Sequence, residues 1–146
     1  MSVAFAIHFL VTCALAGMIW FVQTVHYPFF RFVAPEQFRD FLTAQRRLTL
    51  RTLGAAMVVE LVSGVWVVFA GPLPGFPVWL RWVNLLLLLG TWGLTAFVQT
   101  PAQDRLVGGF QEAAFARLLQ TNWWRVGLWS LRALLLAGVL VAVLWA

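Results

Sequence analysis

Hydrophobic and polar positions separate into four long apolar runs, at about 4–27, 49–70, 77–99 and 123–145, divided by shorter stretches that hold most of the charge. Each run is long enough to cross a ~30 Å hydrocarbon layer as a helix, which takes ~20 residues. The first continues through Trp20 and Phe21 to Gln23 without a basic opening. That is longer than the apolar core of a secretory leader and reads as a retained span. Between the second and third runs, Gly71-Pro72-Leu73-Pro74-Gly75-Phe76-Pro77 predicts a tight hairpin, because its Pro and Gly residues end one helix and open the next. The other two connections have a helical period of their own. In 35–48, Phe38, Phe41 and Leu42 stand at i, i+3, i+4 behind Pro35, and in 109–121 Phe110, Phe115, Leu118 and Leu119 follow Gly108-Gly109. Both predict short amphipathic helices at the membrane surface or capping the bundle. The expected fold is all-α: one domain over residues 1–146, a four-transmembrane-helix bundle with two short amphipathic cytoplasmic helices.

Composition strengthens the membrane reading. Of 146 residues, 62% are hydrophobic and 10% charged, against roughly a quarter charged in soluble chains. All ten basic residues are Arg, which excludes Schiff-base lysine chemistry, and the single Cys13 excludes an internal disulfide. The net charge of +5 reads as topology rather than nucleic-acid binding, because the Arg residues flank apolar runs. Arg31, Arg39, Arg46, Arg47 and Arg51 surround the first long connection, Arg105, Arg117 and Arg125 the second, and Arg81 stands near the hairpin. By the positive-inside rule the two long connections are cytoplasmic and both termini lie on the other side. The nine Trp fall mostly near span ends, where aromatic belts form.

The chain also resembles itself. At an offset of 74 residues Arg31/Arg105, Val33/Val107, Gln37/Gln111, Phe41/Phe115, Arg51/Arg125, Gly64/Gly138 and Val65/Val139 coincide. Duplicated helical hairpins and chance in a biased composition both account for these matches.

Polar groups inside apolar runs are costly and mark either function or assembly. Glu60 lies nine residues beyond Arg51, ~13 Å up a helix and near the middle of its span. Ala56, Ser63 and Gly64 share its face, as a closely packed side requires. Arg132 lies seven residues past Arg125, the counterpart of Arg51, so its depth differs from that of Glu60 by only ~3 Å. An ion pair between the second and fourth spans follows, as a packing device or as a proton or ligand site. Arg81, Asn84, Thr91, Thr95 and Gln99 form one stripe on the third span, Asn122, Arg125, Trp129 and Arg132 one face of the fourth, and Gln23 and His26 stand three apart on the first. The expectation is a polar pocket in the cytoplasmic half, rimmed by Gln23, His26, Gln99, Asn122 and Arg125, with Glu60, Trp129 and Arg132 at its floor. Thr91 and Thr95 serve equally well as interhelical hydrogen-bonding groups. His8 and His26 are eighteen residues apart, ~27 Å along one helix, so they cannot share a metal ion. His8 is expected at the far interface. Neither a metal site nor a cofactor is expected.

The segments Gln23-Thr24-Val25-His26-Tyr27-Pro28 and Thr121-Asn122-Trp123-Trp124-Arg125, continuing to Trp129 and Arg132, resemble a family of short four-span bacterial membrane proteins of unassigned function. The layout is more distantly similar to anthrone-oxygenase-like membrane proteins, through span number, length and the Arg-bearing last helix. The first resemblance implies a bacterial inner-membrane location. The second implies a polycyclic phenolic substrate without a bound cofactor. The short family's pattern carries further His where this chain has Leu42 and Gln45, and again after the third-span Pro, where it has Gln103 beyond Pro101. Inherited metal or acid–base chemistry is thereby placed in doubt.

Three functions remain open. The first is a non-catalytic membrane module, either an accessory subunit of a larger complex or a binder of lipid or hydrophobic cofactor. The second is an oxygenase-like enzyme on an apolar aromatic or quinone-like molecule, with Arg125 and Arg132 holding it, Trp129 stacking on it, and Glu60 or His26 moving a proton. The third is a small proton-coupled exporter. Expected partners are the bilayer, protein subunits or copies of the chain itself, and an apolar small molecule, but not nucleic acid.

Overall fold

The computed structural model describes residues 3–73 and 75–145. Pro74 of the expected hairpin lies outside them. The described residues are helical throughout their ordered elements: α1 (Val3–Phe21), α2 (Phe38–Phe69), α3 (Val78–Leu94), α4 (Thr100–Leu106) and α5 (Glu112–Leu144). A π-turn over Val22–His26 extends α1, and a second over Thr95–Gln99 joins α3 to α4. Four helical segments, Val3–Phe32, Pro35–Phe69, Val78–Leu106 and Glu112–Leu144, are long and apolar enough to cross a membrane.

Two expected elements differ from their prediction. Residues 38–48 and 112–121 are helical, but they form no separate short helices: α2 and α5 run through them without a break, for 32 and 33 residues. No Pro or Gly interrupts 38–53 or 112–126, so nothing in the backbone ends the helix where the amphipathic stretch meets the apolar one. The spacing of apolar residues does not predict the π-turns. Each stands directly before a proline-containing segment: the Tyr27 N–H donates to Val22 O ahead of Pro28, and the Thr100 N–H to Thr95 O ahead of Pro101. A wider turn relieves the clash between a proline ring and the carbonyl four residues earlier. With a π-turn and proline after α1 and after α3, then a long helix each time, the two halves repeat one order of elements.

Side-chain packing orders the bundle along its length. Near the hairpin, Phe5, Val67, Phe76, Leu136 and Val139 pack together, drawing the start of α1 and the last turns of α5 to that end of the molecule. At the opposite end Tyr27, Phe30, Phe38, Leu42, Leu106, Phe115 and Leu118 form an aromatic-rich cap. Arg31 pairs with Glu112 over the Phe115 ring there, and Arg46 pairs with Asp104 at 2.7 Å.

Arg81 is buried and closes the hairpin. Its Nη1 donates to Ala70 O (2.8 Å) and Gly71 O (3.2 Å), and its Nε to Phe76 O (2.8 Å). A guanidinium thus serves carbonyls left without partners at the end of α2. Gly75 makes the turn at φ +71, where an added Cβ would also meet Val143 N at 3.2 Å. Arg81→Met should cost on the order of 2 kcal/mol, through carbonyls that lose a charged donor. A thermal-unfolding midpoint in mild detergent equal to that of the unsubstituted protein would contradict this role.

Candidate functional site

The polar side chains of the bundle interior fall into two layers, with Trp129 between them. The layer toward the hairpin draws on α1, α2, α3 and α5. Arg132 Nη1 donates to Glu60 Oε1 at 2.7 Å, and both side chains are 0% exposed. Thr12 Oγ1 donates to the same oxygen at 3.1 Å, and the Trp129 indole N–H reaches Oε1 at 3.1 Å and Oε2 at 3.3 Å. On its other edge Arg132 Nε donates to Asn84 Oδ1 at 3.3 Å. Asn84 Nδ2 lies 2.9 Å from His8 Nε2, whose Nδ1 lies 3.0 Å from Ser63 Oγ. The Glu60–Arg132 pair expected from depth alone is present.

His8 corrects its expected position at the far interface, since it is wholly buried among Arg132, Asn84 and Ser63. Room for its ring comes from Gly64: an added Cβ there would stand 2.9 Å from His8 Cε1 and 2.7 Å from Leu88 Cδ2. His8 and Thr12 stand at i, i+4 on the buried stripe that continues through Leu15, Ala16 and Ile19. That spacing was the available signal for an inward histidine. Thr91 and Thr95 also depart from the interhelical role open to them. Each donates to its own helix, to Leu88 O at 2.6 Å and Thr91 O at 2.7 Å.

The second layer lies toward the aromatic cap and has a directed chain of bonds. Arg125 Nη1 donates to Asn122 Oδ1 (3.0 Å), Asn122 Nδ2 to Gln23 Oε1 (2.8 Å), and Gln23 Nε2 to the Leu119 carbonyl (3.2 Å). A guanidinium only donates and a carbonyl only accepts, so the amide orientations between them are fixed. His26 is half-buried, with Nε2 2.9 Å from Gln45 Nε2, and Gln103 donates to the Tyr27 hydroxyl at 3.0 Å.

Beside this layer is a half-open cavity of about 490 Å³. Leu15, Met18, Ile19, Val22, Leu53 and Met57 supply apolar wall, while Gln45, Gln99, Gln103 and Arg125 bring polar groups toward the cap and Trp129 bounds it within the bundle. The exposed Leu50 of α2 and Thr100 of α4 stand at its edge, so it opens on the flank between these helices. The Arg125 guanidinium lies over the Trp129 ring, 5.2 Å from its centroid.

Of the residues expected to share one pocket, Gln99, Arg125 and Trp129 line the cavity. Gln23 and Asn122 stand behind Arg125 as its hydrogen-bonded support. His26 touches the cavity through Gln45. Glu60 and Arg132 are separated from it by the Trp129 indole, which turns its N–H to Glu60 while lining the cavity. The cavity therefore has no carboxylate floor. Gln45 and Gln103, noted in the sequence only for departing from a family pattern, are two of its polar lining groups.

Comparison with known proteins gives no counterpart: no family model, curated protein or solved structure matches the chain.

Proposed function

We propose that this chain is a non-catalytic module of the bacterial inner membrane that takes up an amphipathic molecule sideways from the bilayer and holds it in the cavity between α2 and α4. The observation that carries this reading is the shape and lining of the cavity: apolar along its length, polar at one end and open on the flank. The outer surface of the bundle is apolar as well, with Val62, Trp66, Phe69, Phe97 and Leu134 exposed, as a hydrocarbon surround requires. An orientation with the Arg-rich cap in the cytoplasm follows the positive-inside rule and places the polar end of the cavity at the inner-leaflet headgroups.

Enzyme and proton-exporter readings both need an acid–base group that can gain and lose a proton. Of the two candidates, Glu60 does not line the cavity and both its oxygens are engaged within the bundle, and His26 reaches the cavity only through Gln45. A holder needs no such group.

A single-chain amphiphile with a photoactivatable diazirine in its tail tests the reading in vesicles. Labelling of peptides containing Leu53 and Met57 should saturate as the probe's mole fraction rises. Labelling around Leu86 and Leu134, exposed on α3 and α5 away from the cavity, should rise in proportion. Proportional labelling at both places would contradict a cavity that binds.

A further inference from the structure

The polar end of the cavity also indicates the head group it takes, an inference that rests on the holding function just proposed. Most buried polar side chains of the bundle are satisfied; Trp92 Nε1 lacks a partner away from the cavity, and at the cavity Gln99 Oε1 and Arg125 Nε have no hydrogen-bond partner. Gln99 is 1% exposed and Arg125 9%, and both line the cavity. Unsatisfied buried groups are uncommon and call for a partner.

Their chemistry is fixed by their neighbours. Gln99 Nε2 donates to Thr121 Oγ1 at 2.9 Å, while the Thr121 hydroxyl sends its own proton to Arg117 O at 2.7 Å. Thr121 can therefore only accept from Gln99, and the free atom of the Gln99 amide is its oxygen. That oxygen seeks a donor. Gln45 Oε1 is also unpartnered, but its amide stands between His26 and Thr49, groups that can each donate or accept, so either orientation suits it. It selects nothing. Arg125 Nε is a donor seeking an acceptor, on a buried cation whose partners, the Asn122 amide and the Tyr27 hydroxyl, carry no carboxylate charge. Arg46 and Arg47 line the cavity as well, with no Asp or Glu among the lining residues, and Asp104 neutralises Arg46 alone.

We infer that the cavity is a site for an anionic amphiphile whose head group also carries an O–H, the anionic oxygen accepting from Arg125 Nε and the O–H donating to Gln99 Oε1. A singly ionised phosphate monoester has both features on one group. A carboxylate or phosphodiester lacking a hydroxyl has the acceptor alone, and a fatty alcohol has no charge.

Dodecyl phosphate, methyl dodecyl phosphate and dodecanol separate these terms. At about pH 5 the first two carry a similar single charge, since the second ionisation of a phosphate monoester lies near 6, and only the monoester has an O–H. Affinities are read by titration into protein in zwitterionic vesicles, with a cavity-filled Gly54→Phe protein as the blank. Dodecyl phosphate should bind roughly ten-fold more tightly than its methyl ester, the scale of one hydrogen bond to a buried acceptor, and both more tightly than dodecanol. Gln99→Met should abolish the difference between monoester and diester while keeping the preference for charge. Arg125→Gln should reduce the preference for charge roughly ten-fold, the scale of one charged hydrogen bond, with Arg47 keeping the remainder. Inorganic phosphate should not displace dodecyl phosphate; displacement would assign the site to a free anion and overturn the amphiphile. Equal binding of the three probes, or affinity ratios that neither substitution changes, would overturn the head-group assignment while leaving a holder of apolar chains. Binding no better than to the Gly54→Phe blank would overturn the holding function itself.

Discussion

Glu60→Leu should destabilise the bundle by about 3–5 kcal/mol, the scale on which removing one partner of a buried ion pair leaves the other charge uncompensated. The Arg132 guanidinium would keep Asn84, Thr12 and His8 beside it, but these are dipoles, and it has no water to turn to at 0% exposure. Adding Arg132→Met removes the stranded charge and should restore part of the loss. Restoration is partial because Thr12 and the Trp129 N–H still lose the carboxylate they donate to. Equilibrium unfolding in mixed detergent, followed by circular dichroism, measures both. A Glu60→Leu protein as stable as the parent, or a double variant less stable than either single one, would contradict a pair that holds four helices together. The same substitution separates the two roles open to Glu60 from the sequence, because a proton-transfer group would be lost with the fold intact.

The second large effect is expected at Gly64. A β-branched side chain there has no free volume, since even a Cβ would meet Leu88 Cδ2 at 2.7 Å and His8 Cε1 at 2.9 Å. Moving His8 away also breaks its contacts with Asn84 and Ser63. Gly64→Val should therefore cost about 3 kcal/mol, at the upper end of overpacking penalties. Gly138, its counterpart 74 residues on, would meet nothing within 4 Å, and Gly138→Ala should instead gain about 0.5–1 kcal/mol from helix propensity. Unfolding midpoints that move in the same direction for both variants would exclude the close approach of α1 and α3 to Gly64.

Much of this arrangement was legible in the sequence because depth along a straight helix can be counted. Glu60 and Arg132 were matched by their distances from Arg51 and Arg125, and Gln99, Arg125 and Trp129 were found from stripes of polar residues on apolar helices. Counting failed where lateral information was needed. The far-interface position of His8 follows from its distance to His26 along one helix, but its burial depends on a glycine 56 positions later, visible only once α1 and α2 pack. The single pocket expected from common depth divides in two because the Trp129 indole is wide enough to separate Arg125 from Glu60, and spacing along one helix says nothing of a ring's reach across it. The amphipathic stretches were separated from their spans by polarity, whereas the backbone, lacking a breaker, ran on through both. Gln45 and Gln103 drew notice as absences of His, while their place beside the cavity follows from α2 and α4 facing each other across it.

The most direct test of the holding function fills the cavity without touching either polar layer. Gly54 lines it from α2, and an added Cβ there meets only the movable end of Leu50, at 3.3 Å. Gly54→Phe should raise helix stability by a few tenths of a kcal/mol. Native mass spectrometry of protein released from its own membrane should show an amphiphile of constant mass on the parent chain and none on Gly54→Phe. The same adducts on both proteins, with the substituted chain folded, would contradict the account.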